Sequence, residues 1–228
     1  MKNSNGFTLI EVSLVLLIVA FTLGSLLIPL GSKLEEKSVN TAKIQLSEIK
    51  QAVINFTLSN SRMPCPDNNF DGIEDISGAT CSSISNGTVP YVTLNTPHKI
   101  DPWGNPFIYR VTGSFADTND GTACSTTAKK NISIDFCSAS DGDINVLDYD
   151  LNSSSTIPAA NGVVAILLST GRPTGAASFA EDENTNNDAT FFKTGYGSID
   201  SSLPFNDIVI WISATEIVGE LIKAEVLP

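Results

Sequence analysis

The sequence predicts an α+β protein, a long N-terminal α-helix packed on an antiparallel β-sheet head of four to seven strands with disulfide-stapled loops. Three observations carry this. From Val12 to Leu30 no residue is charged. Ala42, Leu46, Ile49, Val53 and Phe56 then recur at spacings of four and three, the period of a helix with one apolar face. Beyond residue 100, short runs of alternating or continuous apolar residues stand between stretches rich in Gly, Asn, Asp and Ser, the pattern of strands joined by loops.

The first element, Gly6 to Gly31, sets where the chain resides. At about 1.5 Å per helical residue, Val12–Leu30 is just long enough to cross a hydrocarbon core of roughly 30 Å. A cleaved secretory peptide places its small residues after a short apolar core, whereas Gly6 precedes this run. The apolar part is therefore expected to stay, as a membrane-spanning helix. Glu11 breaks the pattern, because a carboxylate near mid-bilayer costs roughly 2.5 to 3.5 kcal/mol. It calls for a partner, or else for a place at the membrane edge where it snorkels to the headgroups.

Gly6-Phe7-Thr8-Leu9-Ile10-Glu11, behind a short polar leader carrying Lys2, resembles the N-terminal signature of type IV prepilins and type II secretion pseudopilins. The resemblance implies that a prepilin peptidase cuts between Gly6 and Phe7, that Phe7 becomes the N-methylated first residue, and that Glu11 is the family's invariant acid. In a filament, Glu11 of one subunit would face the cationic amine at Phe7 of a neighbour, turning two isolated charges in lipid into a pair that sets axial register. Lys2 precedes the span and Lys33 and Lys37 follow it, so charge alone leaves the topology open. The resemblance implies a cytoplasmic leader and an exported head: single-pass in the inner membrane, with the head in the periplasm, and later in a pilus or pseudopilus. The implied partners are prepilin peptidase, other pilin or pseudopilin subunits, an inner-membrane assembly platform and membrane lipid.

The chain so divides into a leader, 1–6, a transmembrane and assembly helix, 7–31, an amphipathic stem, 32–60, and a head, 61–228, that forms one domain with the stem. Pro29 and Gly31 predict a bend without an end, and Met63-Pro64 predicts that the helix stops near Asn60. Beyond Asn60 there are 8 basic and 21 acidic residues, within a total net charge of −12. Such a surface repels nucleic acid, and no nucleic-acid partner is expected.

After the stem, Asp67, Asn69, Asp71 and Asp75 stand where the first half of an oxygen-ligand calcium loop has its donors, with Gly72 at the turn. Gly78 occupies the twelfth place, where a bidentate Glu belongs, so an EF-hand is ruled out. The loop reads either as a partial Ca2+ site or as an acidic turn of Asx hydrogen bonds. Cys65, Cys81, Cys124 and Cys137 suit an oxidising compartment. Three pairings are open, and the local ones, Cys65 with Cys81 and Cys124 with Cys137, are expected, each closing a loop of about 15 residues.

Thr88–Leu94 suggests a short strand. Asp101-Pro102-Trp103-Gly104 suits a type I turn, and Phe107, Tyr109 and Val111 alternate with Arg110 and Thr112 as in a half-buried strand. This DPWGNPFIY stretch resembles the turn and first sheet strand of major-type pseudopilins, with Trp103 a packing anchor. Further strands are expected at 132–136, 144–149, Gly162–Ser169 and Asp207–Ser213. Asp141, Asp143, Asp148 and Asp150 read as a solvated rim, and Glu181–Asp188 as a mobile acidic loop. Ser213 and Glu216 form a capping box opening a last helix with Ile217, Val218, Leu221 and Ile222.

His98 is the single histidine, which removes histidine-based triads and the common zinc sites. No nucleophile with a base and no phosphate loop is present, so an enzyme is not expected. The expected function is that of a structural subunit, a minor pilin or pseudopilin given the long loop-rich head. The alternative is a calcium-dependent adhesin-like or cargo-binding head at a filament tip.

Overall fold

The first helix, α1, runs Leu9–Asn60, and neither Pro29 nor Gly31 ends it. It stops where expected: Ser61 adopts a left-handed φ of 58° and the chain leaves through Met63 and Pro64. The computed structural model describes residues 6, 8–84, 86–117, 142–150, 155–173, 175, 177–195 and 205–225, with the side chains of 23–30 and of Asp150 outside the description. The expected pair Cys124–Cys137, the strand at 132–136 and Asp141 lie outside the described residues, as does Phe7.

The chain divides into two units between Asn40 and Thr41. The first contains α1 up to that point, and its apolar side chains from Leu9 to Phe21 are exposed.

The second unit holds the rest of α1 and the head. Ala42, Leu46, Ile49 and Val53 are fully buried, as the helical period predicts, and Ile54 and Thr57 complete the face. Phe56 is only half-buried, and the Arg62 guanidinium lies over its ring, 5.2 Å from the centroid. Lys50, on the flank of the buried stripe, donates to the Trp211 carbonyl at 2.8 Å and pairs with Glu216 at 2.8 Å.

The strands are β1 (Ile76–Ser77), β2 (Thr80–Cys81), β3 (Gly87–Thr88), β4 (Ile108–Val111), β5 (Ile144–Asp150), β6 (Ser155–Ser169), β7 (Thr190–Phe192) and β8 (Ile208–Ser213). Among the described residues the further helices are α2 (Gly113–Ala116), α3 (Phe179–Thr185) and α4 (Ala214–Lys223). A two-stranded hairpin pairs β1 with β2, and a six-stranded sheet runs β3-β4-β6-β5-β7 with β8 also on β6. The long β6 organises the sheet. Its first part pairs with β5, while residues from 163 onward pair with β4 on one side and β8 on the other. The sheet is mixed rather than wholly antiparallel, since β7 runs parallel to β5.

Three local expectations change. Only Gly87–Thr88 of the region up to Leu94 is a strand, because Pro90 has no N–H to continue a ladder and residues 91–95 turn instead, with Leu94 N donating to the Pro90 carbonyl. Strand β4 is covered on both faces rather than one. Tyr109 and Val111 are fully buried, and the opposite face carries a second apolar cluster of Ile144, Val146, Val163, Ile166, Leu168, Phe191 and Val209, so Arg110 is buried as well. The acidic run from Glu181 is a capped helix, α3, whose Ser178 hydroxyl accepts from Glu181 N while the Glu181 carboxylate accepts from Ser178 N.

The DPWGNP turn is pinned by Asp101, which is buried. Its carboxylate accepts from Trp103 N, Asn105 N and the Ser169 hydroxyl, tying the turn to the end of β6. Trp103 itself is half-buried.

Candidate functional site

The candidate site is the start of α1, built from Gly6, Thr8 and Glu11 among the described residues. A helix begins with orphan N–H groups and a positive dipole end. Thr8 and Glu11 satisfy both as a capping box. The N–H and the hydroxyl of Thr8 each donate to Glu11 Oε2 at 2.9 Å, and Glu11 N donates to the Thr8 hydroxyl at 3.4 Å and to its carbonyl at 3.1 Å. Within one chain, then, Glu11 caps its own helix. Only Oε2 is used, and Oε1 has no hydrogen-bond partner among the described residues. The N-terminal signature points to Glu11 alone, whereas the T-x-x-E spacing marks Thr8 as its capping partner.

The cylinder that follows is apolar all round. Leu9 is 90% exposed and Phe21 77%, and Val12, Leu14, Val15, Leu16, Leu17 and Ile18 are all exposed. A helix with no polar face has no stable place in water. Its two described hydroxyls turn inward, Ser13 onto the Ile10 carbonyl at 2.9 Å and Thr22 onto the Val19 carbonyl at 3.0 Å, so neither presents an unsatisfied donor to an apolar neighbour. Among the described residues no helix is long and apolar enough to cross a membrane. The uncharged run itself continues to Leu30, through the stretch whose side chains lie outside the description.

At the head, Cys65 and Cys81 form the expected disulfide. Beside it Arg62 and Glu74 make a bidentate, largely buried pair at 2.7 and 2.6 Å, and Glu74 also accepts from Cys65 N. Tyr109, fully buried, donates to the Pro64 carbonyl at 3.0 Å, and burial first, then the Glu74 charge, holds its hydroxyl well above the ordinary tyrosine range. These contacts fasten the Cys65–Cys81 loop to the end of α1.

Within that loop Asp67 is fully buried. Its oxygens accept from Asn69 N, Phe70 N, Gly72 N and the Thr88 hydroxyl. Asn69 Oδ1 accepts from Asp71 N, Asp71 Oδ1 from Ile73 N, and the Asp75 carboxylate from Asn68 N and Asn69 Nδ2. Among the described residues no group of three Asp, Glu, His or Cys side chains is placed to hold a metal ion. The later acidic rim is partly engaged: Asp143 is exposed yet accepts from the Thr112 hydroxyl at 2.6 Å.

Two family models match the chain. The prokaryotic N-terminal methylation motif matches residues 1–27, and type II secretion system protein G matches residues 30–130. No curated protein and no solved structure matches it.

Proposed function

For a chain that is a type II secretion pseudopilin- or type IV pilin-like protein, a structural subunit of a pilus or pseudopilus, we propose processing and assembly through the start of α1. Prepilin peptidase cuts between Gly6 and Phe7, the new terminus is methylated, and the helix enters the inner membrane and then the filament with the aid of an assembly platform. The head stands in the periplasm. The observation that carries this is the exposed apolar cylinder of Leu9–Phe21 topped by a carboxylate with one oxygen to spare. That oxygen is what the amine at Phe7 of a neighbouring subunit would meet, and the pairing would leave neither charge alone in lipid.

The test is mass spectrometry of the N-terminal peptide from sheared surface filaments and from washed envelope of the native cell. A peptide beginning at methylated Phe7 is expected. In the sheared fraction it assigns a surface pilus, and in the envelope alone a periplasmic pseudopilus. An intact Met1 terminus in both fractions overturns the proposal. Glu11→Ala should leave the cut unchanged while removing the protein from filaments.

A second reading concerns Ca2+ at the Asp67–Asp75 loop. It is supported by the donor set, since Asp67, Asn69, Asp71 and Asp75 offer the hard oxygens that Ca2+ takes, and by Gly72, whose φ of 85° turns the chain so that its N–H reaches Asp67 at 2.7 Å. With Asp67 buried and no glutamate at the twelfth place, part of the shell would fall to a main-chain carbonyl and water, which implies weak binding, near 10⁻⁴–10⁻³ M. At ten times the dissociation constant such a site stabilises by about 1.4 kcal/mol, or roughly 3–6 °C in a domain of this size. The expected outcome is a Tm rise of that order in calcium over EDTA, lost in Asp71→Asn. An unchanged Tm up to about 10 mM calcium, ten times the weakest such constant, removes the site.

A further inference from the structure

Helix α3 is fastened to the sheet by two different sets of contacts. Phe179 packs edge-on against Tyr149 and Phe192, with ring centroids 5.3 and 5.5 Å apart, and Ala180 is buried with Phe192 and Phe205. Next to these contacts lies a buried polar network. Asn184 is fully buried; its Oδ1 accepts from Phe192 N at 2.6 Å, and its Nδ2 donates to the Phe192 carbonyl at 3.1 Å and to Asp207 Oδ2 at 2.7 Å. Glu181, 8% exposed, spends one oxygen on Ser178 N and the other on Asn206 N at 2.8 Å. Asp207, 5% exposed, stands just before β8.

These groups border a cavity of about 240 Å³, lined by Thr170, Arg172, Glu181, Thr185 and Asp207 among others, that gives the Asp207 carboxyl access to water and protons. Among the described residues the ionisable groups around the cavity are Glu181 on α3, Arg172 on the loop after β6 and Asp207 itself. Arg172 is exposed and has an interaction of its own. Of the other acids on α3, Asp182 is exposed, while Glu183 is half-buried and accepts from Asn186 Nδ2. Strand β7 contributes only main-chain groups of Phe192 to the network.

We propose that α3 is a proton-controlled latch: with Asp207 neutral it is closed on β7 and on the Asn206–Asp207 segment before β8, and loss of the Asp207 proton opens it. Ionisation puts a second negative charge beside Glu181 in a buried site, where the one neutral amide of Asn184 cannot compensate it. The aromatic contacts of α3 do not respond to charge. Opening exposes the carboxylate to water through the cavity, so the open form prefers the ionised acid and the closed form the neutral one.

Burial, offset in part by the Asn184 hydrogen bond and reinforced by the Glu181 charge, pushes the Asp207 carboxyl up from 3.8 to about 7 in the closed form. In the open form it returns toward its ordinary value. Between these limits opening releases one proton, so the opening equilibrium grows tenfold for each pH unit, and above about pH 7 it levels off because both forms are ionised. The latch is therefore tight in mild acid and loosest above neutrality.

Hydrogen exchange of the full-length protein in detergent micelles, followed by mass spectrometry from pH 5 to 8.5 and corrected for intrinsic rates, tests this. Peptides covering Phe179–Phe192 should lose protection about tenfold per pH unit up to pH 7 and flatten above it, while staying less protected than β6. In Asp207→Asn the slope should vanish. Absence of a slope in the wild type overturns the proposal, as does an equal slope in D207N, or protection of α3 as strong as that of β6 at pH 8. Should D207N not fold, Glu181→Gln, which removes the neighbouring charge, must move the end of the slope to lower pH, and an unmoved profile counts equally against the latch.

Discussion

At Gly171 the backbone has a φ of 62°, and a Cβ built there would stand 2.1 Å from the Asn206 carbonyl oxygen. The carbonyl belongs to main chain held by Glu181, so it cannot yield as a flexible side-chain end would. Gly171 is also where the DPWGNP turn is anchored, since its carbonyl accepts from Asn105 Nδ2 at 2.7 Å. Gly171→Ala combines a left-handed strain of roughly 1–3 kcal/mol with a steric clash. The urea midpoint of the variant should fall by an amount matching a loss of at least about 2 kcal/mol at unchanged m. The sequence marked residue 171 as loop, but its strictness depends on a carbonyl 35 positions away that no local pattern announces. Lys50 teaches the same lesson. The helical period set it off the buried stripe, whereas its ammonium reaches the Trp211 carbonyl and Glu216 across a separation of 161 residues.

The elements differ in how openly the sequence declared them. The stripe Ala42, Leu46, Ile49 and Val53, the run Gly162–Ser169 and the run before Ser213 are long, apolar and periodic, and each became the helix or strand expected of it. Helix α3 did not, because composition was weighed above capping. Glu181–Asp188 is acidic and polar, yet Ser178 and Glu181 stand at the capping-box spacing, and Asn184 is held inside by three hydrogen bonds. Ser178→Ala removes a fully buried cap and should lower stability by about 1 kcal/mol. Thermal melts with loss of α3 protection in hydrogen exchange check this, and unchanged stability would mean that the aromatic contacts alone hold the helix. In the short strands around Gly87 and Ile76 two-residue pairings leave no period to detect, so only the fold reveals them.

For the whole molecule, the layered arrangement of helix and sheet was legible, and so was the acidic character of the head. What was not legible is that the sheet has two buried faces. The alternation in β4 predicts a wet side, but Ile166, Leu168 and Val209 gather there with Ile144, Val146 and Phe191 from strands far along the chain, and Arg110 is buried as well. The candidate site divides in the same way. Gly6, Phe7 and Glu11 are proposed from a local signature, whereas the capping role of Glu11 required its carboxylate to be seen on Thr8.

Strand β6 has a mechanical meaning. A subunit that takes part in a filament is loaded along its length, and a strand zipped on one side only can be peeled away one hydrogen bond at a time. From Ala165 to Leu168 β6 is gripped by β4 and β8 together, and from Ser155 to Val163 by β5. To draw it out, two ladders must shear at once along that stretch. The head thus has its most firmly held segment at its centre, while strands such as β7 and β8, each paired on one side only, would yield first.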